Sequence, residues 1–329
     1  MSTDISISNG ANLNLKGLAS MDLEVAKKSL NYALNPDDFF GLIPRMLVKE
    51  GDQVSLGQPI FHDKSDESIK IASPVSGKIV EIVRGAKRKI LNIIIKREGD
   101  RIVNFKIPAL SNVGKDKILE LLVESCTLAF IRQRPYNIIA RPDRLPKSIF
   151  VSIHSTAPYA ADYAFVLKNR MDEFQTGVDV MSRLIDKPIN LSIPHNCESD
   201  FTSLQNVDIY KIKGAHPSGN ESFQINRIDP LNSGEIVWVI KPEDLANIGS
   251  FFKTGIYNPK RTVAVSGDSL KYPKYFDTVI GSSISTLVDS KQLSNAENYR
   301  FINGDPLSGT KVQYSDFLGF YNNTLSVIK

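Results

Sequence analysis

Closely spaced turns between short apolar segments constrain the first third of this chain more strongly than any other feature. The segment at 48–61, VKEGDQVSLGQPIF, places turns at Gly51 and Gly57 on either side of a very short strand. The segment at 71–85, IASPVSGKIVEIVRG, enters through Ser-Pro and then alternates apolar and polar residues, and LNIIIK at 91–96 follows as a buried strand. A period of two with turns this close predicts a small all-β unit.

The two turn-rich segments resemble the lipoyl/biotinyl-like barrel-sandwich fold, and we predict such a domain over residues 1–105. That fold can carry a cofactor on a hairpin lysine. Here the hairpin tip is predicted within HDKSDESIK at 62–70, where Lys64 and Lys70 are available. Because this hairpin is longer and more acidic than a carrier turn, a purely structural barrel is the preferred interpretation. A biotin- or lipoyl-carrying protein is the alternative.

A basic run follows at the next predicted hairpin tip, and it consists of Arg84, Lys87, Arg88 and Lys89. Such runs are usually solvated turns. A docking face for an acidic partner or an anionic lipid headgroup is the alternative.

The hydrophobic period changes at Asn112, where strands begin to alternate with helices. Helices are predicted at 115–124, 160–166, 172–185 and 243–252, and strands at 148–153, 188–193 and 236–240. This alternation predicts a Rossmann-like α/β domain over residues 112–256 with a mostly parallel sheet. Ligands of such sheets bind beyond the carboxyl ends of the strands.

Polar residues follow the first two of these strands and are therefore candidates for a site. His154 follows the first strand, His195 and Cys197 follow the second, and His216 lies between glycines in KGAHPSG. The pair of His195 and Cys197 is compatible with a thiol nucleophile or a metal ligand. No third group is fixed nearby by spacing, so ordinary loop or capping roles are the preferred interpretation.

A dinucleotide or flavin site would need a glycine-rich turn that lets the backbone approach a pyrophosphate. Neither G-x-G-x-x-G nor G-x-x-x-x-G-K-[ST] occurs anywhere in the chain. A denser signal is Arg132 and Arg134 beside Tyr136, which together could hold a carboxylate, a phosphate or a carbonyl oxygen. The alternative is that Arg134 caps the preceding helix and Tyr136 packs beneath it.

The last segment, residues 257–329, is predicted to be a β-grasp module. Strands are expected at 278–280 and 299–302, a short helix at 283–288 and a glycine-rich turn at 304–309. Modules of this kind bind soluble ligands or proteins, and the pattern alone specifies no chemistry.

Composition excludes several classes of function. Forty Lys and Arg against 36 Asp and Glu give a net charge of +4, too balanced to indicate nucleic-acid binding. Two cysteines, Cys126 and Cys197, cannot form a disulfide framework or a four-cysteine cluster. No apolar run is long enough to span a bilayer, and MSTDISISNG lacks the features of a signal peptide. We therefore expect a cytosolic protein whose contact with any membrane is peripheral.

Taken together, the segments resemble one family, the A subunits of the sodium-translocating NADH:quinone oxidoreductase of bacterial respiratory membranes. The matching segments are spread over most of the chain and are PRMLVKEGDQVSLGQPIF at 44–61, SPVSGKIVEIVRGAKR at 73–88, Arg134-Pro135-Tyr136, SIFVSIHSTAPYAAD at 148–162, GAHPSG at 214–219, IDPLNSGEIVWVI at 228–240 and NGDPLSG at 303–309. Their order and spacing are more specific than any single motif.

The resemblance implies an α/β multidomain chain: a lipoyl-like barrel-sandwich domain, an α/β domain similar to the flavin- and NADH-binding subunit of complex I, and a β-grasp domain of the soluble-ligand-binding (SLBB) type. It implies a peripheral cytoplasmic subunit on the inner face of the bacterial inner membrane, associated with quinone binding and complex assembly, with other subunits, including membrane subunits, as partners. It also implies that this chain binds no flavin, metal or other redox cofactor. Members of the family continue for roughly a hundred residues into a helical domain, so we expect a truncated chain or one that lacks that domain.

A quinone headgroup needs hydrogen-bond donors for its carbonyls and an apolar or aromatic wall for its ring and tail. By that criterion we predict a quinone site made of Arg132, Arg134, Tyr136, His154 and His216. The competing hypothesis is a free-standing, flavin-dependent NADH:acceptor oxidoreductase.

Overall fold

The structure is a computed structural model that describes residues 2–197, 200–293 and 299–329. In chain order its strands are β1 (Ser2–Ile7), β2 (Ser20–Val25), β3 (Asn31–Leu34), β4 (Pro44–Met46), β5 (Gln53–Val54), β6 (Pro59–Asp63), β7 (Asp66–Ala72), β8 (Gly77–Arg84), β9 (Ile90–Arg97), β10 (Ile131–Arg134), β11 (Ile138–Ile139), β12 (Ile149–Ser152), β13 (Ile189–Pro194), β14 (Val207–Gly214), β15 (Val237–Ile240), β16 (Lys260–Ser266), β17 (Lys274–Val279), β18 (Arg300–Asn303), β19 (Thr310–Val312) and β20 (Thr324–Ile328). The α-helices are α1 (Lys115–Glu124), α2 (Tyr163–Leu167), α3 (Met171–Ile185), α4 (Glu221–Ile228) and α5 (Pro242–Thr254).

The predicted barrel-sandwich is confirmed between β3 and β9. Two small sheets, ordered β3-β9-β8-β5 and β4-β6-β7, face each other across a core that includes Phe61, Ile71 and Ile93. The β6–β7 hairpin turns at Lys64, whereas Lys70 lies within β7 opposite His62. Lys70 is therefore not at the tip, where a carrier lysine would have to be.

The central sheet has the order β1-β14-β13-β12-β15-β10-β11, and its strands β1 and β12 to β15 run parallel. Strand β15 (VWVI) is continuously apolar because it is buried on both faces, and β13 (INLSIP) is buried along nearly its whole length although it includes Asn190 and Ser192. The predicted mostly parallel sheet is therefore confirmed.

Helices α3 and α5 pack together so closely that only glycine fits at two points of contact. A Cβ atom on Gly249 would lie 1.8 Å from the carbonyl oxygen of Glu173, and one on Gly177 would lie 2.2 Å from that of Leu245. The two backbones therefore touch, and this contact fixes α5 against α3.

The third sheet has the order β19-β18-β20-β16-β17-β2. The short helix predicted at 283–288 is present as a 3-10 helix over Ile284–Thr286. The helix predicted at 160–166 begins instead at Tyr163, because the carboxylate of Asp162 accepts hydrogen bonds from the backbone N–H groups of Ala164 and Phe165. Sequence reasoning also missed α4.

The first two strands of the range predicted as the barrel, 1–105, pair outside the two barrel sheets. β1 pairs with β14 in the central sheet, and β2 pairs with β17 in the third sheet. The predicted ranges 112–256 and 257–329 each lack the strand that this amino-terminal segment supplies.

Aromatic rings from all three parts of the chain meet in one core. The ring of Phe39 lies 4.8 Å from that of Phe320 and 6.1 Å from that of Phe61, measured between ring centroids. Phe130 lies 5.6 Å from Phe320 and stacks on Tyr257. The three parts therefore bury these rings in one common core.

Among the helices of the described residues, none is both long enough and apolar enough to cross a bilayer.

Candidate functional site

The loops after the parallel strands meet at the carboxyl edge of the central sheet. The segment after β14 is tied to the segment after β1, because the backbone N–H of Ala11 donates to the carbonyl of His216 at 2.9 Å. It is tied to the segment after β12 as well, because the N–H of Gly219 donates to Thr156 Oγ1 at 2.9 Å. Sheet topology therefore brings together loops that are far apart in sequence.

Two of the predicted quinone ligands, His154 and His216, hold this loop network together. The Nε2 atom of His154 lies 3.0 Å from Ser218 Oγ, and burial lowers the pKa of this imidazole. The Nδ1 atom of His216 lies 3.3 Å from Thr156 Oγ1. Each ring thus has a protein partner at one of its two nitrogens.

Arg132, Arg134 and Tyr136 diverge in the structure. Arg134 forms an ion pair with Glu221 at 3.6 Å, close to the same loop network, whereas Tyr136 is 70% exposed beyond the end of β10. Arg132 lies with its guanidinium carbon 5.2 Å from the ring centroid of Tyr321 and lines a cavity. The fold therefore gathers Arg134, His154 and His216 around one loop, places Arg132 in a neighbouring cavity and leaves Tyr136 apart.

That cavity, which we call the polar cavity, has a volume of about 750 Å³ and lies where the three parts of the chain meet. Its wall includes Asp38 of the barrel part, Arg132 and Lys241 of the central domain, and Asn303 and Tyr321 of the third part. Burial raises the pKa of the Asp38 carboxyl to about 6, although this group accepts a hydrogen bond from the N–H of Phe320.

Lys241 follows β15 directly and precedes the first turn of α5. Its ammonium donates to the carbonyl of Tyr321 at 2.6 Å. Burial, followed by repulsion from Arg132, lowers the pKa of Lys241 to about 8. Sequence reasoning missed this residue, although the rule that selects His154 after β12 also selects Lys241 after β15.

A second cavity, the apolar groove, has a volume of about 510 Å³ and lies between the barrel and the third sheet. Apolar side chains of its wall include Tyr32, Val75 and Val279. Cationic side chains of its wall are Lys27, Lys28, Arg97, Arg101 and Lys260. No sequence pattern pointed to the groove, because its wall is assembled from segments distant in the chain.

The two cysteines lie in different surroundings. Burial raises the pKa of the Cys126 thiol to about 12, which leaves it unreactive at neutral pH. His195 faces Asp4, with Nδ1 3.3 Å from Oδ1, and the backbone N–H of Cys197 closes a turn onto Pro194. Within residues 2–197, 200–293 and 299–329, no three His, Cys, Asp or Glu side chains are grouped to hold a metal ion.

The fold defines the class of protein. It is a three-part protein in which a barrel-sandwich hybrid, a mostly parallel α/β domain and a small mixed sheet share one core. Three family models match in the same order. They are the NqrA N-terminal barrel-sandwich hybrid domain at residues 5–98, the NqrA second alpha/beta domain at 113–257 and the NQRA C-terminal domain at 262–314.

The curated relatives of this chain carry the name of the same family. The A subunit of the Na(+)-translocating NADH-quinone reductase from Rhodopirellula baltica is 32% identical over 98% of this chain and 72% of the relative. The protein of the same name from Neisseria meningitidis serogroup A is 33% identical over 99% of this chain and 73% of the relative. The chain belongs to this family, the A subunits of an NADH–quinone oxidoreductase.

Among solved structures, an NAD+-reducing [NiFe]-hydrogenase in the H2-reduced state is similar with a TM-score of 0.46 and 16% identity, over 67% of this chain and 47% of that chain. This likeness is too distant to indicate a function.

Proposed function

We propose that this chain serves as the peripheral, cytoplasmic A subunit of a Na+-translocating NADH–quinone reductase, where it binds quinone and carries no redox centre of its own. Its partners are the other subunits of that enzyme, including membrane subunits. Family membership supports the assignment to the enzyme. The observation that supports quinone binding is the apolar groove with cations along its rim.

The groove matches the chemistry of a quinone headgroup better than the polar cavity does. The wall of Val75, Val279 and the buried ring of Tyr32 suits a planar ring and the start of an isoprenoid tail. Donors for the carbonyl oxygens are at hand, because Lys28 and Arg97 have no ion-pair partner among the described residues. Arg101 is less available, since its Nη2 donates to Gln53 Oε1 at 2.6 Å.

The prediction that quinone contacts Arg132, Arg134, Tyr136, His154 and His216 stays a prediction. Three of these side chains already have polar partners, with Arg134 on Glu221, His154 on Ser218 and His216 on Thr156. The geometry therefore favours the groove.

The proposal that the chain holds no redox centre is supported by its own residues. Two cysteines are too few for a four-cysteine iron–sulfur cluster, and the chain lacks the glycine-rich turns that hold a flavin or nicotinamide pyrophosphate. The visible spectrum of the purified protein tests this point. Stoichiometric flavin absorbance would contradict it and favour the free-standing NADH:acceptor oxidoreductase.

Calorimetric titration with ubiquinone-1 tests the quinone site. We expect Arg97→Gln and Val279→Asp to weaken binding at least tenfold, whereas Arg134→Gln and His154→Gln leave it within twofold. Lys89→Gln, which removes an exposed cation outside the groove, serves as the matched control. Loss of binding in the second pair with retention in the first would place the quinone at the carboxyl edge instead.

A further inference from the structure

The polar cavity contains two cations without a counter-ion. Among the described residues, neither Arg132 nor Lys241 lies within ion-pair distance of a carboxylate. The carboxylates that act on Lys241 through space, Asp244 and Glu221, are themselves paired with Arg261 and Arg134. Both cations are partly buried, so water compensates their charge incompletely.

The acidic residues of the cavity wall are engaged elsewhere. Asp37 pairs with Lys89 at 2.6 Å, and Asp305 accepts hydrogen bonds from the N–H groups of Leu307 and Ser308 in its own turn. Asp38 accepts from the N–H of Phe320. No acid of the described wall therefore reaches the two cations as an ion-pair partner.

We propose that the polar cavity binds a small phosphomonoester, with its phosphate between Arg132 and Lys241. A phosphate dianion carries the charge that balances two cations, and the fork of an arginine beside a lysine is a common way to hold it. Side chains rather than main-chain amides hold the phosphate, so this site needs no glycine-rich turn.

The rest of the cavity suits the organic part of such a ligand. A volume of about 750 Å³ exceeds the space that a phosphate alone would fill. Tyr163 lines the cavity, and its hydroxyl makes no hydrogen bond within the described residues, which leaves it able to donate one. Asn137 and Asn303 add amide groups to the wall. A polar, hydroxyl-rich molecule such as a sugar phosphate fits this lining.

The proposal is independent of the quinone assignment, because the polar cavity and the apolar groove share none of their lining residues. Failure of one assignment leaves the other standing.

Binding of inorganic phosphate and of ribose 5-phosphate to the whole chain tests the proposal, by calorimetry at constant ionic strength with chloride as the balancing anion. We expect saturable binding of both, tighter for ribose 5-phosphate. Lys241→Met and Arg132→Gln should each weaken binding at least tenfold, and Lys241→Arg should restore most of it. Lys49→Gln removes an exposed cation that lines neither cavity and should leave the affinity unchanged.

A spectroscopic readout guards against variants that merely misfold. The fluorescence of the single buried tryptophan, Trp238 of β15, should stay native in every variant used. No saturable phosphate binding by the native chain, or equal weakening by Lys49→Gln and Lys241→Met, would overturn the proposal. Binding of inorganic phosphate without any preference for ribose 5-phosphate would overturn the assignment to a phosphomonoester.

Discussion

Arg261 of β16 and Asp244 of α5 form an ion pair with 2.6 Å between Nη2 and Oδ1, and both side chains are buried. Glu243 lies beside them, accepts from the N–H of Thr262 and is 3.5 Å from Arg170. Two arginines and two acids thus balance one another in the core. Because α5 belongs to the central domain and β16 to the third sheet, the cluster joins these two parts.

Arg261→Met should reduce the free energy of unfolding by about 3–5 kcal/mol, because it leaves buried carboxylates without a counter-charge. Denaturation by guanidinium at pH 7 measures this loss. Adding Asp244→Asn to Arg261→Met should recover part of it. Lys27→Met, at an exposed position, is the control and should change stability by less than about 0.5 kcal/mol. A loss below about 1 kcal/mol in Arg261→Met would show that the cluster does not stabilise the fold.

Asp38 should make stability depend on acid pH. Burial raises its pKa from 3.8 to about 6 in the folded chain, so between these values the folded state holds more protons than the unfolded state. Stability contributed by this group is therefore present at about pH 4 and falls as pH rises to about 6, by about 2 kcal/mol. Asp38→Asn still accepts from Phe320 and should remove this slope, which unfolding curves at several pH values would detect. Parallel pH profiles for the two proteins would contradict the prediction.

Lys241 should make the stability of the fold rise with pH in the alkaline range, which is opposite to the effect of Asp38. Its pKa is lowered from 10.5 to about 8, so the folded state holds fewer protons in this interval and stability rises with pH across it. Without a ligand, Lys241→Met should stabilise the chain by about 3 kcal/mol at about pH 7, and the gain should vanish above about pH 10. The melting temperature at these two pH values measures this difference. A destabilised Lys241→Met at neutral pH would mean that the ammonium is already compensated.

The contact between α3 and α5 should not tolerate a methyl group. In Gly249→Ala the new Cβ would meet the backbone of Glu173, so the helices must separate and the free energy of unfolding should fall by about 1–3 kcal/mol. Gly114→Ala is the matched control, because a Cβ at that glycine meets nothing within 4 Å. Guanidinium denaturation of both variants gives the comparison, and equal stabilities would refute the close packing.

Local features of the fold can be read from the sequence, and the reasons are physical. Helix α1 is predicted at its observed bounds because its apolar residues repeat with helical spacing after Gly114. Strands β12 and β15 are located because strands buried on both faces are nearly continuous apolar runs, and β13 because its apolar residues recur at every second position.

Pairings between strands that are far apart in the chain cannot be predicted from such local sequence patterns. The alternation in β1 does not show that its partner is β14, far away along the chain. The apolar groove is equally hidden, since Val75 and Val279 become neighbours only in the folded chain. The site prediction for Arg132 leads to a real cavity, and Lys241 of the same wall follows β15 in the way that His154 follows β12.

The pairing of the amino-terminal strands also sets an order of events on the ribosome. β1 can pair with β14 only after β14 has been synthesised. β2 can pair only after synthesis of β17, which ends at Val279. The barrel can close early, whereas the two amino-terminal strands remain unpaired during most of translation. A nascent chain that stops before β17 leaves Met21, Leu23 and Val25 of β2 without the strand beside which they finally lie.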